Sequence, residues 1–284
     1  MPSGLPGDPM PFVAATTALV DPIDVRKSIL SILYKGKASH LGPSMSVVEM
    51  LIAIYASVDV NKIGAGSIDR TRVIVSKGHC AAATYSVLAH FGLLDFSVLE
   101  TYHRDGSDLA GHVSHAVRSV EHSTGALGHG LSVACGCALG LRSRGFNNTD
   151  VFALVGDGEI QEGSIWEAVM FARHHRLSRL ILMVDDNRIS SITRTSAVLD
   201  MQPLRDRFIG FGFRVYEVDG HDVHAMMGAI AAIKTADEVS VILCRTVKGR
   251  GVPFAEHQPI WHYRSLSAAD YETALRYLEA SRPS

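Results

Sequence analysis

Two apolar runs that each stop at oxygen-bearing residues constrain this chain more than any other feature. Val151-Phe-Ala-Leu-Val155 leads into Gly156-Asp157-Gly158, and Leu180-Ile-Leu-Met-Val184 stands just ahead of Asp186-Asn187. Short runs without polar alternation read as strands buried on both faces, the pattern of a parallel sheet covered by helices. Right-handed crossovers bring such strand ends to one edge, and open α/β folds bind their ligands there. Asp157 and Asn187 are therefore expected to share a site.

The rest of the chain keeps the alternation. Asp21 and Pro22 open a helix that Gly36 closes. Ser46-Val-Val-Glu49 has the form of a capping box and predicts a second helix from there to about Tyr55. Arg72-Val-Ile-Val75 predicts a strand that presents Lys77-Gly78-His79, followed by a helix over 81–91. Residues 105–127, rich in Gly, His and Ser, predict a long functional loop. Further helices are expected over 129–141, 162–173, 204–211 and 223–236, and strands over 214–218 and 240–244. The small-residue helix over 129–141 suits close packing, either on its own domain or on another subunit. Ser267 caps a last helix to about Ala280, whose Tyr271, Leu275 and Leu278 share a face that either docks a partner or seals the domain. The fold class expected is α/β, with a tail over 1–20, one domain over 21–265 and a C-terminal helix over 266–284.

Composition excludes several functions. With 27 Lys and Arg against 29 Asp and Glu, the chain has no basic block for nucleic acid. The densest apolar stretch, 225–233, is too short to cross a bilayer, so no membrane partner is expected. The first 17 residues lack the basic start and apolar core of a secretory signal. Four cysteines without a Cys-x-x-Cys pattern read as small buried hydrophobes in a reducing compartment. A cytoplasmic protein is expected.

The carboxylate of Asp157 and the amide oxygen of Asn187 are hard donors suited to magnesium, an ion usually shared with substrate phosphates. Gly156 permits the tight turn, Gly158 lets a backbone N–H approach a phosphate oxygen, and the helix that follows directs its N-terminus at the anion. A magnesium-bound diphosphate is the ligand inferred. Histidines add groups that donate to and accept from hydroxyls at neutral pH. His90, His103, His174, His175, His221 and His224 are given no role, and the run His112, His115, His122, His129 lacks the spacing or cysteines of a zinc site.

Gly-Asp-Gly, twenty-seven residues and then Asp186-Asn187 resembles the diphosphate signature of thiamin diphosphate enzymes. Ser39-His40-Leu41-Gly42, Ser76-Lys77-Gly78-His79, Ala110-Gly111-His112, Thr124-Gly125-Ala126-Leu127-Gly128-His129-Gly130 and Gly156-Asp-Gly-Glu-Ile-Gln-Glu-Gly163 follow in the order found in transketolases. The chain resembles that family from about residue 21 to 265. The resemblance implies a thiamin diphosphate-binding (PP-type) fold in which Asp157, Asn187 and the Ile189 carbonyl ligate Mg2+. It further implies that His79, Gly158 and His262 contact the diphosphate and that Gly125, Ala126 and Leu127 run under the aminopyrimidine. His40 and His112 would face the sugar, and His262, taken in preference to His257, would serve both ends. Glu162 and Glu167 match glutamates near the subunit interface, or are simply acidic residues early in a helix. Leu41 and Val113 stand where transketolases usually carry Pro, Cys80 where Gly or Ala is common, and Ala126 where Pro or Ser is frequent. Those departures bear on sugar specificity.

In complete transketolases a pyrimidine-binding domain supplies the glutamate that activates the ring. Only twenty-two residues follow His262, so that group is expected from a partner, the C-terminal subunit of a split enzyme in an α2β2 assembly. The implied reaction moves a two-carbon ketol unit from a ketose, free or phosphorylated, to an aldose-type acceptor. The other readings are the α subunit of a 2-oxo acid dehydrogenase, a deoxyxylulose-phosphate-synthase-like enzyme, and a non-catalytic cofactor-binding scaffold.

Overall fold

A computed structural model describes residues 19–282. All but the last two residues of the expected tail, 1–20, lie outside that range. Five parallel strands, β1 (Arg72–Val75), β2 (Val151–Gly156), β3 (Leu180–Asp186), β4 (Arg214–Asp219) and β5 (Ser240–Arg245), form one sheet in the order β1-β2-β3-β5-β4. The helices are α1 (Pro22–Lys35), α2 (Leu41–Ser46), α3 (Val48–Ala56), α4 (Val60–Ala65), α5 (Ala81–His90), α6 (Phe96–Leu99), α7 (Gly130–Ser143), α8 (Gly163–His174), α9 (Thr195–Val198), α10 (Leu204–Gly210), α11 (Val223–Thr235) and α12 (Ala268–Ala280).

Successive strand side chains point to opposite faces, and two hydrophobic cores result. Phe152, Leu154, Ile181 and Met183 pack with Ile29, Met50, Ala82 and Met226 of α1, α3, α5 and α11. Val151, Ala153, Val155, Leu182 and Val184 face Leu131 and Ala134 of α7, Val169 of α8 and Phe208 of α10. Every residue of β2 and β3 is buried, which is why neither run could carry a polar residue before its end.

Asp21 caps α1 through the Ile23 N–H at 2.8 Å, with Pro22 in the first turn and Gly36 at its end, as its sequence requires. Tyr271 of α12 stacks on Tyr34 of α1 with ring centroids 4.5 Å apart, and Ala274 and Leu278 enter the first core. The apolar face of α12 thus seals this chain. On α7, Leu131, Ala134, Cys135 and Ala138 pack inward, and nothing lies within 4 Å of a Cβ built at Gly136 or Gly140. Cys80, Cys135 and Cys244 are buried and Cys137 is half-buried. No helix among the described residues is long and apolar enough to cross a membrane.

The capping box expected at Ser46–Glu49 does not form. Ser46 ends α2, α3 starts after Val47 without a side-chain cap, and the Ser46 hydroxyl donates to Asp185 at 2.7 Å. Glu49 instead accepts from Arg26 at 2.6 and 2.9 Å, and His221 lies 3.1 Å from it. Two buried tertiary partners outweigh one local turn. The short helices α2, α4, α6 and α9 leave no signal in the hydrophobic period.

Burial alone would push the Glu49 carboxyl up, but hydrogen bonds from His221 and the charge of Arg26 hold it at about 2. A depressed carboxylate stabilises the fold above its unfolded value and loses that contribution as pH falls toward the folded one. Glu49→Gln should therefore cost about 3 kcal/mol at pH 7 and only about 1 kcal/mol at pH 3. Urea titrations at both pH values check this, and a gap independent of pH would contradict it.

Candidate active site

The carboxyl ends of β1, β2 and β3 open into a cavity of about 430 Å³. Asp157, Gly158, Asn187 and Ile189 line it, together with His40, His79, His112 and His262. Gly125 and Leu127 also border it, whereas Ala126, between them, does not. His257 is exposed and outside the lining; His262 is 8% exposed and within it.

Local structure explains each placement. His79 lies in a 3-10 turn (Gly78–Cys80) after β1, and a Cβ at Gly78 would come within 2.4 Å of the Thr124 carbonyl oxygen. His40 follows α1 at a left-handed φ of 73°, held by its N–H to the His262 carbonyl at 3.0 Å. The turn that carries His262 is pinned by the Trp261 indole, which donates to Phe254 at 3.0 Å. Arg188 also has a positive φ, 64°, and its N–H donates to the Asp157 carboxylate. Such conformations cost about 1–3 kcal/mol each and persist where surrounding structure enforces them.

The imidazoles form a tight cluster, with ring centroids 5.2 Å apart for His40–His112 and His40–His262 and 5.0 Å for His79–His262. Burial, compounded by His112 and Lys248, brings His40 down to about 4, and burial with Lys248 and His40 brings His262 to about 3. His79 is lowered by burial and the Lys77 charge, and His112 by burial. All four are therefore neutral at pH 7, able to donate through one nitrogen and accept through the other.

Burial and the charges of Asp185 and Asp186 push the Asp157 carboxyl up to about 7. The Asn187 amide nitrogen donates to Asp185 at 2.9 Å, while its oxygen accepts from the Ile189 N–H at 3.0 Å. A carboxylate, an amide oxygen and a main-chain carbonyl fit magnesium's preference for oxygen. No group of three His, Cys, Asp or Glu placed to hold a metal occurs among the described residues. The set suits an ion that takes its remaining ligands from phosphate and water.

Two lysines escape functional assignment from the sequence. Lys77 is buried against Asp185, and Lys248 donates to the Ile189 and Ser190 carbonyls at 3.1 and 2.6 Å, with its Nζ 3.2 Å from His262. Burial and Lys77 lower Lys248 to about 8. Only burial marks them, Lys77 being 1% and Lys248 2% exposed. Gln161, Tyr263 and Ile192 also reach the cavity unforeseen.

The sequence profile described as "Transketolase, thiamine diphosphate binding domain" matches residues 3–279. This chain belongs to the transketolase family. One of the subunits of the apulose-4-phosphate transketolase of Phocaeicola vulgatus is 35% identical over 257 residues, 88% of this chain and 90% of that protein. The 6-deoxy-6-sulfo-D-fructose transketolase subunit SqwG of a Clostridium species is 34% identical over 258 residues, 90% of this chain and 94% of that one. The solved transketolase of Leishmania mexicana superposes with a TM-score of 0.80 at 26% identity, covering 91% of this chain and 40% of that chain. The fold also matches the Campylobacter jejuni transketolase, TM-score 0.81 at 23% identity, across 91% of this chain and 42% of the other. This transketolase chain therefore spans about two fifths of those solved enzymes and nearly all of the relatives named as subunits.

Proposed function

We propose that the chain is the diphosphate-binding subunit of a two-component, magnesium-dependent transketolase that acts on a ketose donor and an aldose-type acceptor, free or phosphorylated. The observation that carries this is that Asp157, Asn187 and Ile189 line one cavity together with four neutral histidines. Near-complete overlap with relatives named as subunits supports the split organisation. A C-terminal subunit in an α2β2 assembly, in the cytoplasm, completes the reading.

Thiamin diphosphate, once bound, supplies a nucleophilic ring carbon and an electron sink for carbon–carbon cleavage. Asp157, Asn187 and the Ile189 carbonyl would hold the magnesium. His79, His262 and the Gly158 N–H would contact the diphosphate, and Gly125, Ala126 and Leu127 would run under the pyrimidine. His40 and His112, neutral and adjacent, accept from or donate to the sugar hydroxyls and carbonyl. The glutamate that activates the ring belongs to the partner.

Purified alone, the chain should show no ketol transfer, and activity should appear on adding the partner subunit. Full turnover by the isolated chain would end the split reading. The transketolase relatives favour this reaction over those of a 2-oxo acid dehydrogenase or a deoxyxylulose phosphate synthase. Pyruvate as the preferred donor would reverse that preference, and a complex that binds the cofactor without turnover would point to a scaffold.

A further inference from the structure

We propose that Glu159 is a positioning residue that ties the strap at Gly125–Leu127 to the Asp157 turn, so that one carboxylate sets the spacing between the ring and diphosphate halves of the site. The inference rests on the cofactor reading above. Glu159 is 1% exposed and makes no ion pair among the described residues. Its Oε1 accepts from the Ser76 hydroxyl and from the Gly128 N–H at 2.8 Å, and its Oε2 accepts from the Gly156 N–H at 3.2 Å. Three segments therefore meet on it: the end of β1, the end of β2 and the downstream foot of the strap.

The strap needs such an anchor because it has none of its own. Upstream, the Thr124 hydroxyl donates to Val75 at 2.6 Å and its N–H to Val113 at 3.0 Å. Downstream, Gly128 is held by Glu159 and by the Ser164 hydroxyl on its carbonyl at 3.0 Å, and the Gly130 N–H donates to Ser76 at 3.1 Å. The N–H groups of Gly125, Ala126 and Leu127 make no hydrogen bond among the described residues, and all three residues are exposed. Gly128 has a φ of +86°, and a Cβ there would lie 2.4 Å from the Ser164 oxygen, so this foot accepts only glycine. A bare segment between two fixed feet can present its peptides to a ring, and its height above the sheet is set by those feet.

A buried carboxylate that accepts three bonds cannot be replaced without loss by an amide, whose NH2 would oppose one N–H donor. Inorganic pyrophosphate with magnesium probes the Asp157 half alone; thiamin diphosphate with magnesium probes both halves. With the partner subunit present, Glu159→Gln should weaken thiamin diphosphate by about 10- to 100-fold, within the range for residues that orient ligands, and pyrophosphate by less than about threefold. Hydrogen exchange at the Gly128 amide should speed up at least about tenfold without ligand. Ser164→Ala, which removes the bond to the carbonyl of the same residue, should give the same selective loss at smaller amplitude. Equal loss of both ligands in both variants, or unchanged binding of both, would overturn the inference. Failure of the wild-type complex to bind magnesium pyrophosphate would instead remove the cofactor reading beneath it.

Discussion

Replacing Asp157 by alanine is expected to weaken magnesium-dependent uptake of thiamin diphosphate by at least about 100-fold, beyond what is typical for residues that only orient a metal's ligands. Asp157 is 5% exposed, and the charges of Asp185 and Asp186 repel its own. A carboxylate kept at such a disadvantage gains most when a divalent cation arrives. A second expectation follows: relief of the buried charge offsets the loss of the bonds that Asp157 accepts from the Arg188 and Gly158 N–H groups, so the cofactor-free protein should stay within about 2 kcal/mol of wild type. Calorimetry with the partner subunit, paired with a melting curve of the free chain, tests both. Affinity within about threefold of wild type would show that the cation does not sit on Asp157.

Asp185→Ala is expected to cost about 3–5 kcal/mol, because it strands the Lys77 ammonium in the interior. Asp185 is wholly buried and accepts from Lys77, Thr246, Ser46 and the Asn187 amide. A fall in melting temperature of roughly 10 °C follows for a domain of this size. Pairing Asp185→Leu with Lys77→Met should recover most of that stability, since apolar replacement of a buried ion pair is often neutral. It should not recover cofactor affinity, because Asn187 would still lack the acceptor that fixes its amide. Recovery of both would mean that Asp185 serves stability alone.

Much of this is legible from local sequence. The strands around Asp157 and Asn187 have to be continuous apolar runs because both faces of the sheet are covered, and covered strands tolerate no alternation. The caps of α1 and α12 are equally plain: Asp21 and Ser267 act within a few residues of themselves. The Ser46–Glu49 pattern misleads because both side chains find partners far along the chain, Asp185 and Arg26. The motif places Ala126 with its neighbours, but Ala126 does not line the cavity. Among the histidines without an expected role, His221 bridges Glu49 and the Val247 N–H, 3.1 and 2.8 Å away, as a satisfied core group.

Chain order and residue type alone decided the family, the parallel sheet and the edge at which ligand groups collect, because periodicity, turn chemistry and strand-end residues are local properties. What only the folded chain decided is the electrostatic state of that edge. The neutral histidines, the raised Asp157, and the burial of Lys77, Lys248 and Glu159 arise from segments up to about two hundred residues apart packing into one low-dielectric wall. Desolvation is set by everything within a few ångströms, and no stretch of sequence records its own distant neighbours.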